Sequence, residues 1–193
     1  MKTLLVCGLG RCGTSLIMQM LHAGGFPTTG EWPGFEDTTS TAEMSIRARF
    51  FRGNQGKAIK VLDPHLNQPP GGLEYRAIWL DRDPAAQARS VVKFAEAMSP
   101  GVVLANRAHA RGMEASLRRD RTPAMLAVSR LTSEILFLNF ETILARPLLV
   151  AQQIEAFNPA LMDTRKMARQ VRARHPDCLP YFLETILLAE GPE

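Results

Sequence analysis

Cysteine is scarce in this chain: Cys7, Cys12 and Cys178 are an odd set with no metal-ligand spacing to the four histidines, so neither a disulfide framework nor a zinc site is expected. No apolar run approaches the length of a membrane span. The short apolar opening is interrupted by glycines and Arg11 before a secretory core could form, which predicts a cytoplasmic protein that does not enter a membrane. Repetitive or strongly polar stretches are also lacking, and 193 residues suffice for one buried core, so residues 1–193 are expected to form a single domain. Nor is there a large excess of one charge: 23 lysines and arginines against 19 acidic residues leave a net +4. An anionic ligand fits that balance. A nucleic-acid partner is not expected, because Arg107, Arg111, Arg118, Arg119 and Arg121, and again Arg165, Lys166, Arg169, Arg172 and Arg174, recur at the spacing of solvated helix faces without interleaved aromatics.

What is present is an alternation of strand and helix signals. Apolar runs at 3–6, 57–62, 75–80 and 134–140 read as strands. Helical periodicity follows at 15–23, stopped by Gly24-Gly25, and after Asp83-Pro84, where the aspartate can cap and the proline can occupy the first turn of a helix running to about Met98. Two helices are expected over 104–131, broken before Pro123, with others at 147–157 and 162–174; residues 26–41 read as a long loop. The fold class this implies is three-layer α/β/α with a central parallel sheet, P-loop NTPase-like, whose ligands sit at the carboxyl ends of the strands.

The first strand runs into Gly8-Leu-Gly-Arg-Cys-Gly13-Thr14-Ser15, which has the glycine spacing of a Walker A loop but no lysine; Thr14 stands in its place. Glycines let successive amides curl toward one anion, and the following helix adds the partial positive charge of its N-terminus. Arg11 supplies a full charge, and Thr14 and Ser15 supply hydroxyls. A triphosphate user needs the absent lysine, so a different donor is indicated. Cys12 at a helix start has the setting of an activated thiol, yet Cys-x5-Arg phosphatase spacing fails because it lands on Gly13, and both loop cysteines are read as packing residues.

Four segments resemble the sulfotransferases that use 3′-phosphoadenosine 5′-phosphosulfate (PAPS). Gly10-Arg11-Cys12-Gly13-Thr14-Ser15 is similar to the family's 5′-phosphosulfate loop, and Ile78-Trp-Leu-Asp-Arg82 followed by Ser90 is similar to its 3′-phosphate segment. Leu138-Asn-Phe140-Glu141 through Phe157 resembles a later conserved-type stretch, and Gly30-Glu31 resembles the Gly-Glu that carries the base in the tyrosylprotein branch. The resemblance implies that Gly10 to Ser15, Arg82, Ser90 and Phe140 bind PAPS as co-substrate, without a metal, and that Phe140 faces adenine. Arginine at a strand end and serine two helical turns on can both reach one phosphate, each charge-assisted bond contributing roughly 1.5–3 kcal/mol.

Sulfuryl transfer must also neutralise the leaving oxygens, for which Arg11, the loop amides and Lys60 are candidates. In many relatives a lysine precedes the catalytic histidine by two residues, whereas here Lys60 precedes Asp63 and His65 at longer spacing. Glu31, Glu36, Asp37, Asp63 and His65 are the possible bases, with Glu31 ranked first and His65 second. The acceptor is expected to be a small molecule or peptide with a hydroxyl or amine. The alternatives are an ATP/Mg-dependent P-loop phosphotransferase and a nucleotide-binding protein without turnover. Oligomeric state is not legible.

Overall fold

The computed structural model describes residues 2–36, 44–99, 106–158 and 160–171. Four strands, β1 (Thr3–Gly8), β2 (Ala58–Leu62), β3 (Tyr75–Asp81) and β4 (Ile135–Asn139), form one parallel sheet in the order β2-β1-β3-β4. β1 is buried along its whole length because it pairs on both sides, Gly8 lying opposite Leu62 and Leu80. The strand order departs in both directions from β1, so the turn that follows it occupies the crevice where open α/β sheets hold ligands.

Side chains alternate between two apolar layers, as the two-residue period of a strand requires. Leu4, Val6, Ala58, Ile78 and Leu80 face α1 (Thr14–Ala23), α6 (Pro147–Phe157) and α7 (Thr164–Arg169). Leu5, Cys7, Ile59, Ala77 and Trp79 face the other way, toward Ala88 on α3 (Pro84–Met98) and toward Leu117, Ala124 and Val128 on α4 (Arg107–Ser129). Helices on both faces of a parallel sheet make the three-layer architecture expected from the sequence. Asp83 caps α3, accepting a hydrogen bond from the Ala86 amide at 2.8 Å, with Pro84 in the first turn.

Several expectations need correction. The 104–131 segment is one helix over its described part, Arg107–Ser129, with Pro123 inside it. Pro123 is exposed, so the carbonyl it leaves without a helix partner can turn to water, while buried Leu117, Ala124, Ala127 and Val128 hold both halves to the sheet. β4 is an edge strand, with Phe137 56% exposed, and it ends at Asn139, whose side chain caps the short helix α5 (Phe140–Ala145). Helix α2 (Met44–Gly53) was not foreseen, its three arginines breaking up the apolar pattern and leaving only Phe51 as a buried anchor. The last helix among the described residues is α7, within the expected 162–174; residues 172–174 lie outside the described residues, as do Asp37, His175 and Cys178. Among the described residues no helix is long and apolar enough to cross a membrane.

Candidate functional site at the turn after the first strand

Two left-handed residues shape the turn. Arg11 has φ 67° and Gly13, the N-cap of α1, has φ 110°. At Gly13 a Cβ would meet the Phe140 ring at 2.5 Å, so glycine is required there both for its dihedral and for close packing. The carbonyls of three successive residues are turned toward the protein: Gln87 Nε2 donates to Leu9 O (3.2 Å) and Gly10 O (2.8 Å), and Arg82 Nη1 donates to Arg11 O (3.0 Å). On the β2 side, the Gly10 amide donates to Asp63 Oδ1 (3.3 Å) and the Asp63 amide to Gly8 O (3.0 Å). The turn is thus braced from both neighbouring strands, and α1 begins without a side-chain cap, leaving the helix N-terminus open to an external anion.

Arg82, Ser90 and Arg11 converge. Arg11 Nε lies 3.4 Å from Ser90 Oγ and its guanidinium sits 4.7 Å from the Phe94 ring centroid, while the Arg82 guanidinium lies 4.5 Å over the Phe140 ring. Gln87, Ser90 and Phe94 recur at i, i+3 and i+7, which places them on one face of α3, against the turn. Gln87 is 4% exposed and was missed in the sequence; a glutamine in step with apolar packing residues was the available signal. Phe140 is buried, with Arg82 on its face and Gly13 at its edge, so in this structure it packs within the core beside the turn.

Lys60 supplies what the glycine turn lacks. From β2 it points to the α1 face, and its Nζ donates to Ser15 Oγ (2.9 Å) and Gly34 O (2.9 Å) and pairs with the Glu36 carboxylate. A cation from the neighbouring strand therefore stands at the first turn of α1, where Thr14, 3% exposed, occupies the Walker lysine's slot. Burial lowers the Lys60 pKa, against the opposing pull of Glu36. Burial pushes the Cys12 thiol up to about 12 and raises that of Cys7 as well, so both are packing groups with no thiolate at neutral pH.

The loop that delivers Glu36 is held by backbone pairing and one aromatic anchor. Thr28 bridges Ala58, the Thr29 amide donates to Ala58 O (2.9 Å), and Phe35, 1% exposed, is buried against the core. Gln19 Nε2 holds Pro33 O at 2.8 Å. Gly30, at φ 77°, could not carry a Cβ, which would lie 2.7 Å from the Phe35 carbonyl carbon. With Phe35 fixed, Gly34 O and Glu36 fall on Lys60. Glu31 is on the exposed side of this loop, its carbonyl accepting from the Phe35 amide (2.7 Å). His65 lies elsewhere, lining a 230 Å³ pocket with Gly10, Asp63, Val91, Ser116 and Asp120 toward α4, on the face opposite that of Lys60. Asp63, raised by burial, is committed to the turn through the Gly10 amide. Arg121, expected on a solvated helix face, instead grips Asp81 bidentately (2.8 and 2.5 Å); burial opposes Asp81 ionisation, but these bonds hold its pKa below the ordinary carboxylate range. Arg82, Asp81 and Gln87 border a 390 Å³ pocket completed by Leu117, Arg118 and Arg121.

No family model and no curated protein matches this sequence. Solved structures do. The crystal structure of mouse sulfotransferase SULT7A1 complexed with PAP superposes with a TM-score of 0.57 at 16% identity over 89% of this chain, which spans 64% of that protein's length. A sulfotransferase from Alicyclobacillus acidocaldarius aligns over 98% of this chain and 92% of its own (TM-score 0.51, 14% identity), and sulfotransferase STF9 from Mycobacterium avium over 100% and 69% (TM-score 0.56, 12% identity). The chain has the sulfotransferase fold, a P-loop NTPase-like α/β architecture.

Proposed function

We propose that this protein transfers a sulfuryl group from PAPS to a hydroxyl or amine of a small-molecule or peptide acceptor. The observation that carries this reading is that a turn without a Walker lysine is flanked by two cationic groups from neighbouring strands, Lys60 at Ser15 and Arg82 at Arg11, with Ser90 joined to the same Arg11. In this reading the turn's amides, Arg11 and Lys60 hold the phosphosulfate and stabilise charge developing on the leaving phosphate oxygen. Arg82 and Ser90 hold the 3′-phosphate, and Phe140 supports Arg82 from below. The PAP in the mouse protein's complex supports a bisphosphate of this kind as the ligand class. We further propose that residues 1–193 act as one domain in the cytoplasm, without metal, membrane or nucleic acid.

A thermal-shift comparison tests it. Adenosine 3′,5′-bisphosphate without metal should raise Tm, by about 2.7 kcal/mol of added stability at a hundredfold excess over Kd. Preferential stabilisation by ATP with magnesium would assign the protein to phosphoryl transfer instead.

A further inference from the structure

Lys60 has a side chain only 4% exposed, and of its three partners two are neutral and one, Glu36, is an anion. The Glu36 side chain is 68% exposed, so it stands at the mouth of the site with Lys60 on one side and solvent on the other. A buried ammonium keeps its charge by staying close to an opposite one. An anion seated on the first turn of α1 would approach the same ammonium through Ser15, and it and the Glu36 carboxylate would repel each other there. The two are rivals for one cation.

We propose that Glu36, rather than Glu31, takes the acceptor's proton, and that it is freed for this when the sulfuryl oxygens of the donor replace it on Lys60; the inference rests on the sulfotransferase reading. In the step, a lone pair on the acceptor's oxygen or nitrogen forms a bond to sulfur. The bond from sulfur to the 5′-phosphate oxygen breaks, its electron pair leaving on adenosine 3′,5′-bisphosphate, and the acceptor's proton passes to the Glu36 carboxylate. The exchange on Lys60 thus both places a cation against the sulfuryl oxygens and releases the Glu36 carboxylate toward the acceptor. Both glutamates face solvent, but Glu36 is paired with the cation the donor needs, whereas Glu31 is paired with no cation among the described residues.

The test compares wild type, Glu36→Gln and Glu31→Gln, each first shown to keep its Tm. Calorimetry measures adenosine 3′,5′-bisphosphate and PAPS affinity, and labelled PAPS measures transfer to water and to a panel of phenols, alcohols and amines. Removing the rival charge in Glu36→Gln is expected to tighten PAPS about tenfold, with a smaller gain for the bisphosphate, while transfer falls at least about 100-fold and further than in Glu31→Gln. Transfer retained in Glu36→Gln, or lost in Glu31→Gln alone, overturns the proposal. If no acceptor responds, the affinities decide: equal PAPS affinity in wild type and Glu36→Gln also overturns it. Wild type that binds neither nucleotide overturns the donor assignment itself, a result distinguishable from a failure of Glu36 because both nucleotides are then silent.

Discussion

The two flanks of the glycine turn are built in different ways. Toward β3, Arg82, Gln87 and Ser90 sit on a strand end and one helix face and meet the turn through neutral acceptors and aromatic rings. Toward β2, a buried lysine is satisfied by an irregular loop and an exposed carboxylate. The first flank is scaffold: Arg82 and Gln87 bond to the turn's own backbone while Ser90 meets the Arg11 side chain, so an anion can be added without breaking the backbone bonds. The second is exchangeable, because its one ionic partner can swing into water when another anion arrives. Positioning should therefore depend on the β3 side and charge compensation on the β2 side.

The largest expected effect tests whether the turn itself is rigid. Gly13→Ala places a Cβ against Phe140 and a non-glycine residue at φ 110°, which should cost roughly 3 kcal/mol and lower Tm by on the order of 10 °C. An unchanged Tm would mean that the turn yields. Next, Arg82→Ala should weaken adenosine 3′,5′-bisphosphate binding by about ten- to a hundredfold in calorimetry, since a charge-assisted contact is lost while the fold keeps its other braces. Unaltered affinity would remove Arg82 from the ligand.

Lys60→Met sharpens the contrast. Replacing a buried ion by an apolar side chain of similar length should change stability by less than about 1 kcal/mol, yet weaken the bisphosphate about tenfold. The pH dependence has a defined sign: only protonated Lys60 attracts the anion, and burial lowers its pKa from the ordinary 10.5, so wild-type affinity should fall as pH rises through that lowered value. The alkaline fall should be missing in Lys60→Met; its persistence there would point to another group. The smallest effect lies at Asp81. Its lowered pKa means that pairing with Arg121 stabilises the fold above the ordinary value of 3.8 and is lost as pH falls through the lowered one. Because both partners are partly exposed, Asp81→Asn should cost under about 1 kcal/mol at neutral pH, and a larger loss would show that β3 and α4 depend on this pair.

The same contrast explains what the sequence disclosed. The β3 flank was legible because its determinants are local: a glycine spacing after an apolar strand, an arginine at a strand end, and a serine two turns along a helix whose cap and first proline mark its start. The Lys60 strand was also legible, but its partner was not. Glu36 reaches Lys60 only because Phe35 is buried and Thr28 bridges Ala58, long-range facts that a Gly/Pro/Thr-rich stretch does not display. Ranking Glu31 above Glu36 followed a spacing, and spacing in an irregular loop says little about which side chain meets Lys60. His65 was read with Lys60 because it follows the Lys60 strand, but it lies in the turn beyond Leu62, which carries it toward α4 and away from the face that Lys60 occupies. Pro123 suggested a break because propensity was weighed without the burial that holds α4 together.

The most direct measurement is a crystal structure with adenosine 3′,5′-bisphosphate. The account predicts the 5′-phosphate on the Gly10–Ser15 turn within reach of Lys60, and the 3′-phosphate held by Arg82 and Ser90. A bisphosphate bound elsewhere, or one whose 3′-phosphate avoids Arg82, would contradict it.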